Sequence, residues 1–226
     1  MKRFIAGLLL VVLAGILAAC GSDDEQEAEN FEAPSVEISE EEKVDDNQVV
    51  AVINGEDVTG KTYNLVYSQL KLYAGQFGEE VDTEEVKRAT MDSIIDRQLV
   101  IQQAKEEGIE VTGEAAEAEL ETLKSENAET FETLLEQYQI TEEGFKEQLQ
   151  FEMTMNEYMR QTIEVSVTDE EVEEHYEKAK EGNEDIPEFD EIKDQLKKQM
   201  LQQKTDEALE AEIEKVKEKA DIEEKI

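Results

Sequence analysis

The chain has 226 residues, of which 60 are acidic, 22 are Lys or Arg and one is His, for a formal net charge of −38. That balance excludes nucleic acid, whose binding depends on neutralising phosphates with Lys and Arg. It also excludes electrostatic adsorption to anionic lipid. Two prolines, no tryptophan and a wealth of Glu, Lys, Gln, Ala and Leu predict a mainly α fold with few strands.

Lys2 and Arg3 open the chain, and the run from Phe4 to Ala19 is apolar apart from two glycines. Small residues then precede Cys20, the one cysteine of the sequence. This is the layout of a secretory signal. Leu17-Ala18-Ala19-Cys20 resembles the lipobox of bacterial lipoproteins, which implies cleavage before Cys20 and a diacylglyceryl group on its thiol. Residues 1–19 are then a signal peptide, and the remaining 20 basic and 60 acidic residues carry a net charge of −40. An uncleaved anchor, or an ordinary signal with an incidental cysteine, is the alternative, although the apolar run is shorter than the roughly 20 residues that a bilayer-spanning helix needs. Two acyl chains hold a protein stably at a membrane, so the resemblance makes Cys20 a tether.

Gly21 to Gln48 holds twelve acidic residues, one lysine and Pro34. Such a composition reads as a disordered acidic linker, residues 20–48 with the lipidated cysteine included. Order is expected from Val49 to Ile226. Val49-Val50-Ala51-Val52-Ile53 is a β-branched run closed by the turn signal Asn54-Gly55. Thr59 reads as the cap of a helix from about Gly60 to Phe77, with Tyr63, Val66, Leu70 and Tyr73 on one face. Asp82 and Glu85 form a capping-box pattern for a second helix carrying Val86, Ala89, Ile94, Ile95 and Leu99, which Gly108 ends. Thr112 caps a third helix to about Asn127. Glu129 to Tyr138 makes a short fourth with Phe131, Leu134, Leu135 and Tyr138 facing inward.

Thr141 starts a helix running to about Ile163 whose apolar residues spread over roughly 220° of arc, about twice what one-sided packing requires. It is expected to touch neighbours on two faces. Thr168 with Glu171 is a further capping box, opening a short helix with Val172, Tyr176 and Ala179. After Gly182 and Pro187 comes a long helix from about Glu188 to Ala220, carrying Phe189, Ile192, Leu196, Met200, Leu209, Ile213 and Val216. Its Gln202 to Asp206 interrupts the apolar spacing and reads as an exposed stretch. Asp221 to Ile226 closes the body as a strand.

Chemistry is scarce in this chain. His175 stands alone on a glutamate-rich helix, and one His without a free Cys is too little for a zinc site. P-loop, dinucleotide-glycine and G-x-S-x-G patterns are absent. No catalytic residue, metal ligand or cofactor is expected.

Three segments together resemble the SurA and PrsA family of extracytoplasmic folding chaperones. They are Val49-Val50-Ala51-Val52-Ile53-Asn54-Gly55-Glu56-Asp57-Val58-Thr59; Met91 to Val100 followed by Gln103 to Ile109; and Val165-Ser166-Val167-Thr168-Asp169-Glu170-Glu171-Val172 with His175-Tyr176. The resemblance implies a SurA N-terminal-like helical chaperone module over 49–226, with a small strand pair formed by the first strand and the C-terminal tail. It implies a lipid-anchored protein on the outer face of a bacterial cell membrane that binds unfolded or nascent secreted polypeptides. Relatives commonly carry a parvulin peptidyl-prolyl isomerase domain between the Thr-Asp-Glu-Glu helix and the last helix. Only about Lys180 to Glu188 lies there in this chain, so no enzyme activity is expected. A scaffold lipoprotein with one dedicated envelope partner is the alternative, and an isomerase by family label alone the second. Methionine and aromatic side chains suit variable partners, which makes Phe151, Met155, Tyr158 and Met159 candidates for a client surface. The same spacing also suits ordinary core between two lobes.

Overall fold

The computed structural model describes residues 38–76, 82–137, 140–182 and 186–226. Residues 1–37, Cys20 and the expected signal peptide among them, and Tyr138 lie outside the described residues. Strands β1 (Val49–Ile53) and β2 (Glu56–Thr59) form a hairpin. Its turn places Asn54 at φ 52° and Gly55 at φ 82°, the left-handed pair that a two-residue hairpin loop demands. The short β2 was not expected as a strand. It pairs antiparallel to β1 with Ala51 opposite Val58 and Ile53 opposite Glu56.

Seven helices follow among the described residues: α1 (Gly60–Gln76), α2 (Thr83–Glu106), α3 (Gly113–Glu126), α4 (Ala128–Gln137), α5 (Glu142–Thr162), α6 (Asp169–Gly182) and α7 (Phe189–Lys217). The last strand, β3 (Ile222–Glu224), pairs with the free edge of β1, giving the order β2-β1-β3. The first strand and the C-terminal tail thus meet, in a mainly α fold. Asn54 helps hold this junction. Its side-chain oxygen accepts from the Asp221 amide at 2.9 Å and its amide donates to Gln102 on α2 at 2.8 Å.

Four helix starts follow side-chain caps, whereas the Gly60 and Lys61 amides that open α1 donate to the Gln48 and Asp46 carbonyls and Thr59 makes no cap bond among the described residues. Asp82 accepts from the Glu84 and Glu85 amides, Thr112 from Ala115 and Thr141 from Gly144. Thr168 and Glu171 form both halves of a capping box, with bonds of 3.2 and 2.9 Å. Gly108, at φ 77°, ends α2 in the left-handed conformation, and the Ile109 amide returns to the Ala104 carbonyl at 2.7 Å. α7 is continuous through Gln202 to Asp206, where Lys204 reaches across to the Ser166 carbonyl at 3.1 Å and Glu171 at 2.6 Å.

Among the described residues, three apolar cores result. The first joins Val50, Ile53 and Val58 of the hairpin to Tyr63 and Tyr67 of α1 and Ile94, Ile95 and Leu99 of α2. The second lies between α2, α5 and α7, and the third between α3, α4 and α5.

The ordered body extends N-terminal of Val49, contrary to the sequence expectation for residues 38–48. Ile38 and Val44 pack on the first core. Gly60, Asn64, Tyr67 and Lys71 form one stripe along α1, and all four meet this acidic strap. The Val44 amide donates to Asn64 Oδ1 at 3.0 Å, and Asn64 Nδ2 donates to the Val44 carbonyl at 2.8 Å. Glu42 takes hydrogen bonds from Tyr67 and Lys71. Gly60 permits the closest approach, since a Cβ there would lie 2.0 Å from the Asp45 carbonyl oxygen. Two isolated apolar residues among carboxylates give no periodic signal, so composition hides this segment's docking.

Candidate functional site

α5 is the helix on which the two inner cores meet. Phe145, Leu149 and Met153 face α3 and α4, while Phe151, Met155, Tyr158 and Met159 face α2 and α7. The wide apolar arc predicts this two-sided contact, and the structure supplies the neighbours.

The sequence candidates Phe151, Met155, Tyr158 and Met159 are brought together, but as a covered seam. Phe151, Met155 and Tyr158 are 4%, 3% and 4% exposed, and Met159 is half-buried. Val100, Ala104 and Ile109 close the seam from the α2 side, and Leu209 and Ile213 of α7 close it from the other. In this arrangement the four residues are core between helices, the second of the two readings that their spacing allows. The physical reason lies in α7. Strand β3 pins its far end to the sheet, and Lys217 donates to Asp96 of α2 at 3.0 Å, so its apolar face is laid along α5.

A polar cluster crosses the seam beside these residues. The Arg97 guanidinium lies 4.0 Å from the Phe151 ring centroid, within cation–π range, and donates to Gln148 Oε1 at 2.5 Å. Gln148 Nε2 in turn donates to Glu152 Oε1 at 2.8 Å. Burial pushes Arg97 down to about 10, against the pull of Glu152 and Glu147, so it stays charged at neutral pH. Burial raises Glu152 above the usual carboxylate range, while Gln148 and Arg97 oppose the shift. Arg97 lies within Met91 to Val100, one of the three segments that carry the family resemblance. Its signal was a charge at position 97 within the apolar stripe Ile94, Val100 and Ala104.

The trough formed by α3 and α5 is the other apolar feature. Leu120, Phe145 and Leu149 line it, and α4 lays Phe131, Leu134 and Leu135 into it. The rings of Phe131 and Phe145 meet edge to face, with centroids 5.3 Å apart.

His175 is exposed on α6. Among the described residues no group of three or more His, Cys, Asp or Glu side chains could hold a metal ion, and no helix is long and apolar enough to cross a membrane. α6 and α7 are separated by residues 183–188 alone, which leaves no room for a folded domain between them. Tyr176 spans that join, donating to the Pro187 carbonyl at 3.0 Å and packing on Phe189.

The sequence matches known proteins. The chain is 27% identical over 195 residues to the Foldase protein PrsA of Caldanaerobacter subterraneus subsp. tengcongensis, an alignment covering 80% of this chain. It covers 54% of that relative, so the chain spans about half the length of the protein it matches. The SurA-like N-terminal domain family matches residues 3–159, a stretch that takes in the hairpin and the seam residues of α5. With that match over well more than half of its length, the chain belongs to the SurA-like N-terminal domain family.

Proposed function

We propose that the protein is a holding chaperone of the cell envelope, anchored by lipid at Cys20 and acting on unfolded secreted polypeptides without a chemical step. The observation that carries this reading is its membership of the SurA-like N-terminal domain family, with the PrsA foldase among its relatives. The short join between α6 and α7 supports holding over isomerisation, because no catalytic domain fits between residues 182 and 189. The acidic surface fits the same role, since strong net charge keeps complexes with sticky clients soluble.

The test uses the chain from residue 21 onward, mixed separately with several unrelated unfolding clients. Suppressed aggregation of most of them is expected at near-stoichiometric ratios. Protection of none, or of a single protein, turns the reading to a scaffold with one dedicated partner. Proline-limited refolding measured in parallel is expected to show no acceleration. In cells, Cys20→Ala is expected to move the protein from the membrane fraction to the soluble one, and continued membrane retention overturns the lipid tether.

A further inference from the structure

The trough between α3 and α5 has firmly joined walls and a loosely joined occupant. Lys124 of α3 pairs with Glu142 of α5 at 2.9 Å, and Lys146 of α5 pairs with Glu117 of α3 at 3.4 Å. Gln150 Nε2 of α5 also donates to the Val111 carbonyl just before α3, at 2.8 Å. The described residues of α4 show no comparable ties. Among its described residues, Glu132 and Glu136 are exposed and make no ion pair, and Thr130 bonds only back to the adjoining Asn127 carbonyl. What holds α4 is apolar, the triad Phe131, Leu134 and Leu135, with the two leucines only half-buried.

Its charge also opposes its seat. α4 carries three glutamates and no basic residue. α3 carries five acidic residues against Lys124, and α5 carries five against Lys146 and Arg160. Both wall lysines are already engaged with wall carboxylates. An acidic helix therefore lies between two acidic helices. An apolar groove that takes an amphipathic helix selects its ligand by side chains at i, i+3 and i+4. The triad at 131, 134 and 135 displays that spacing.

We propose that this trough is a docking site for basic amphipathic helical segments of client chains, and that α4 is a built-in, charge-mismatched occupant that such a segment displaces. The proposal rests on the chaperone reading for the identity of the partner. The trough itself rests on the fold. A client segment with the same apolar triad and lysines on its polar face keeps the packing that α4 provides and replaces like-charge repulsion by attraction. Salt then acts in opposite senses, screening α4's repulsion while weakening the client's attraction.

The probe is a pair of synthetic helical peptides carrying the Phe-x-x-Leu-Leu triad, one with lysines and one with glutamates on the polar face. They are titrated against the full chain at low and moderate salt. The lysine peptide is expected to bind at least tenfold tighter than the glutamate peptide, with that margin shrinking as salt rises. Hydrogen exchange in the complex is expected to show faster exchange for Phe131 to Glu136 while α3 and α5 stay protected. Glu132→Lys with Glu136→Lys, both exposed positions outside the apolar core, is expected to seat α4 better and weaken the lysine peptide several-fold. Unchanged α4 exchange on binding, or equal affinity for that variant, overturns the proposal. Aggregation suppression that survives such a result leaves the chaperone reading standing with its client surface elsewhere. Peptide seating without suppression keeps the trough and removes the chaperone reading.

Discussion

The Tyr67 hydroxyl donates to Glu42 Oε1 at 2.7 Å, joining the middle of α1 to a residue seven positions before the first strand. The same carboxylate oxygen receives the Lys71 ammonium, and the other, Oε2, receives the Ser39 amide at 2.7 Å. Burial by itself would raise the Glu42 pKa, but the hydrogen bonds from Lys71, Tyr67 and Ser39 outweigh it and hold the carboxyl down to about 2. Both members of the ion pair are largely buried, at 10% and 11% side-chain exposure. The contact fastens an acidic strap to the body on which the hairpin is built.

Glu42→Gln is expected to destabilise the fold by about 1–3 kcal/mol at neutral pH, the range for losing hydrogen bonds to a charged group. A carboxyl whose folded pKa is depressed stabilises above its unfolded value, here near 4.5, and loses that contribution as pH falls through about 2. Denaturant unfolding of wild type and variant between pH 2 and 7 should show the difference constant above about pH 5 and shrinking toward pH 2. A difference independent of pH would remove the carboxylate from the explanation.

Gly60→Ala places a methyl 2.0 Å from the Asp45 carbonyl oxygen, a contact that backbone cannot relieve without moving. The expected outcome is detachment of the strap. Hydrogen exchange should rise at the Val44 and Lys61 amides, which donate to Asn64 and the Asp46 carbonyl respectively, while α5 is unaffected. Unchanged protection at these two amides would contradict the docked strap.

Arg97→Met leaves the buried Glu152 and Gln148 without their cation. Breaking such a cluster from one side costs about 3–5 kcal/mol, whereas replacing the whole set by apolar groups is often close to neutral. Adding Glu152→Leu to Arg97→Met is therefore expected to recover at least half of the loss. A double-mutant cycle by chemical denaturation measures this, and simple additivity of the two substitutions would refute the coupling.

Met155→Ala removes a side chain that is 3% exposed from the seam against α7, and large-to-small changes there cost about 2–5 kcal/mol. Exchange at the Leu209 and Ile213 amides should rise more than exchange in β1. A stability loss under about 0.5 kcal/mol would instead return Met155 to the exposed role that its sequence context suggests.

Helix starts were legible because each cap is a local event. Asp82, Thr112, Thr141 and Thr168 sit within three or four residues of the amides they satisfy, and the structure bears them out. The strand at 49–53, its Asn54-Gly55 turn, and the contact of the C-terminal tail with that strand were legible in the same way or through resemblance. The two-sided nature of α5 was also readable, since arc width follows from spacing alone. What lies on each side was not readable. Phe151, Met155, Tyr158 and Met159 have the same pattern whether a client or α7 covers them, and the choice depends on the distant Leu209 and Ile213 of α7.

Residues 38–48 make the same point from the opposite direction. Their composition is that of an unfolded acidic chain, and nothing within the segment indicates otherwise. The ordering comes from a stripe on another element, Gly60, Asn64, Tyr67 and Lys71, which offers close approach, paired amide groups, a hydroxyl and a cation at the spacing of successive helical turns. The sequence by itself determined the helical elements, four of their starts, the acidic surface and the absence of familiar catalytic motifs, because those are matters of composition and of neighbours along the chain. Only the tertiary structure decided that the seam is closed, that Arg97 is buried against Phe151, that the strap is docked and that α4 lies in an apolar trough between two acidic helices. Each of these depends on which side chains from distant segments share a space, and periodicity within one segment carries no information about its partner.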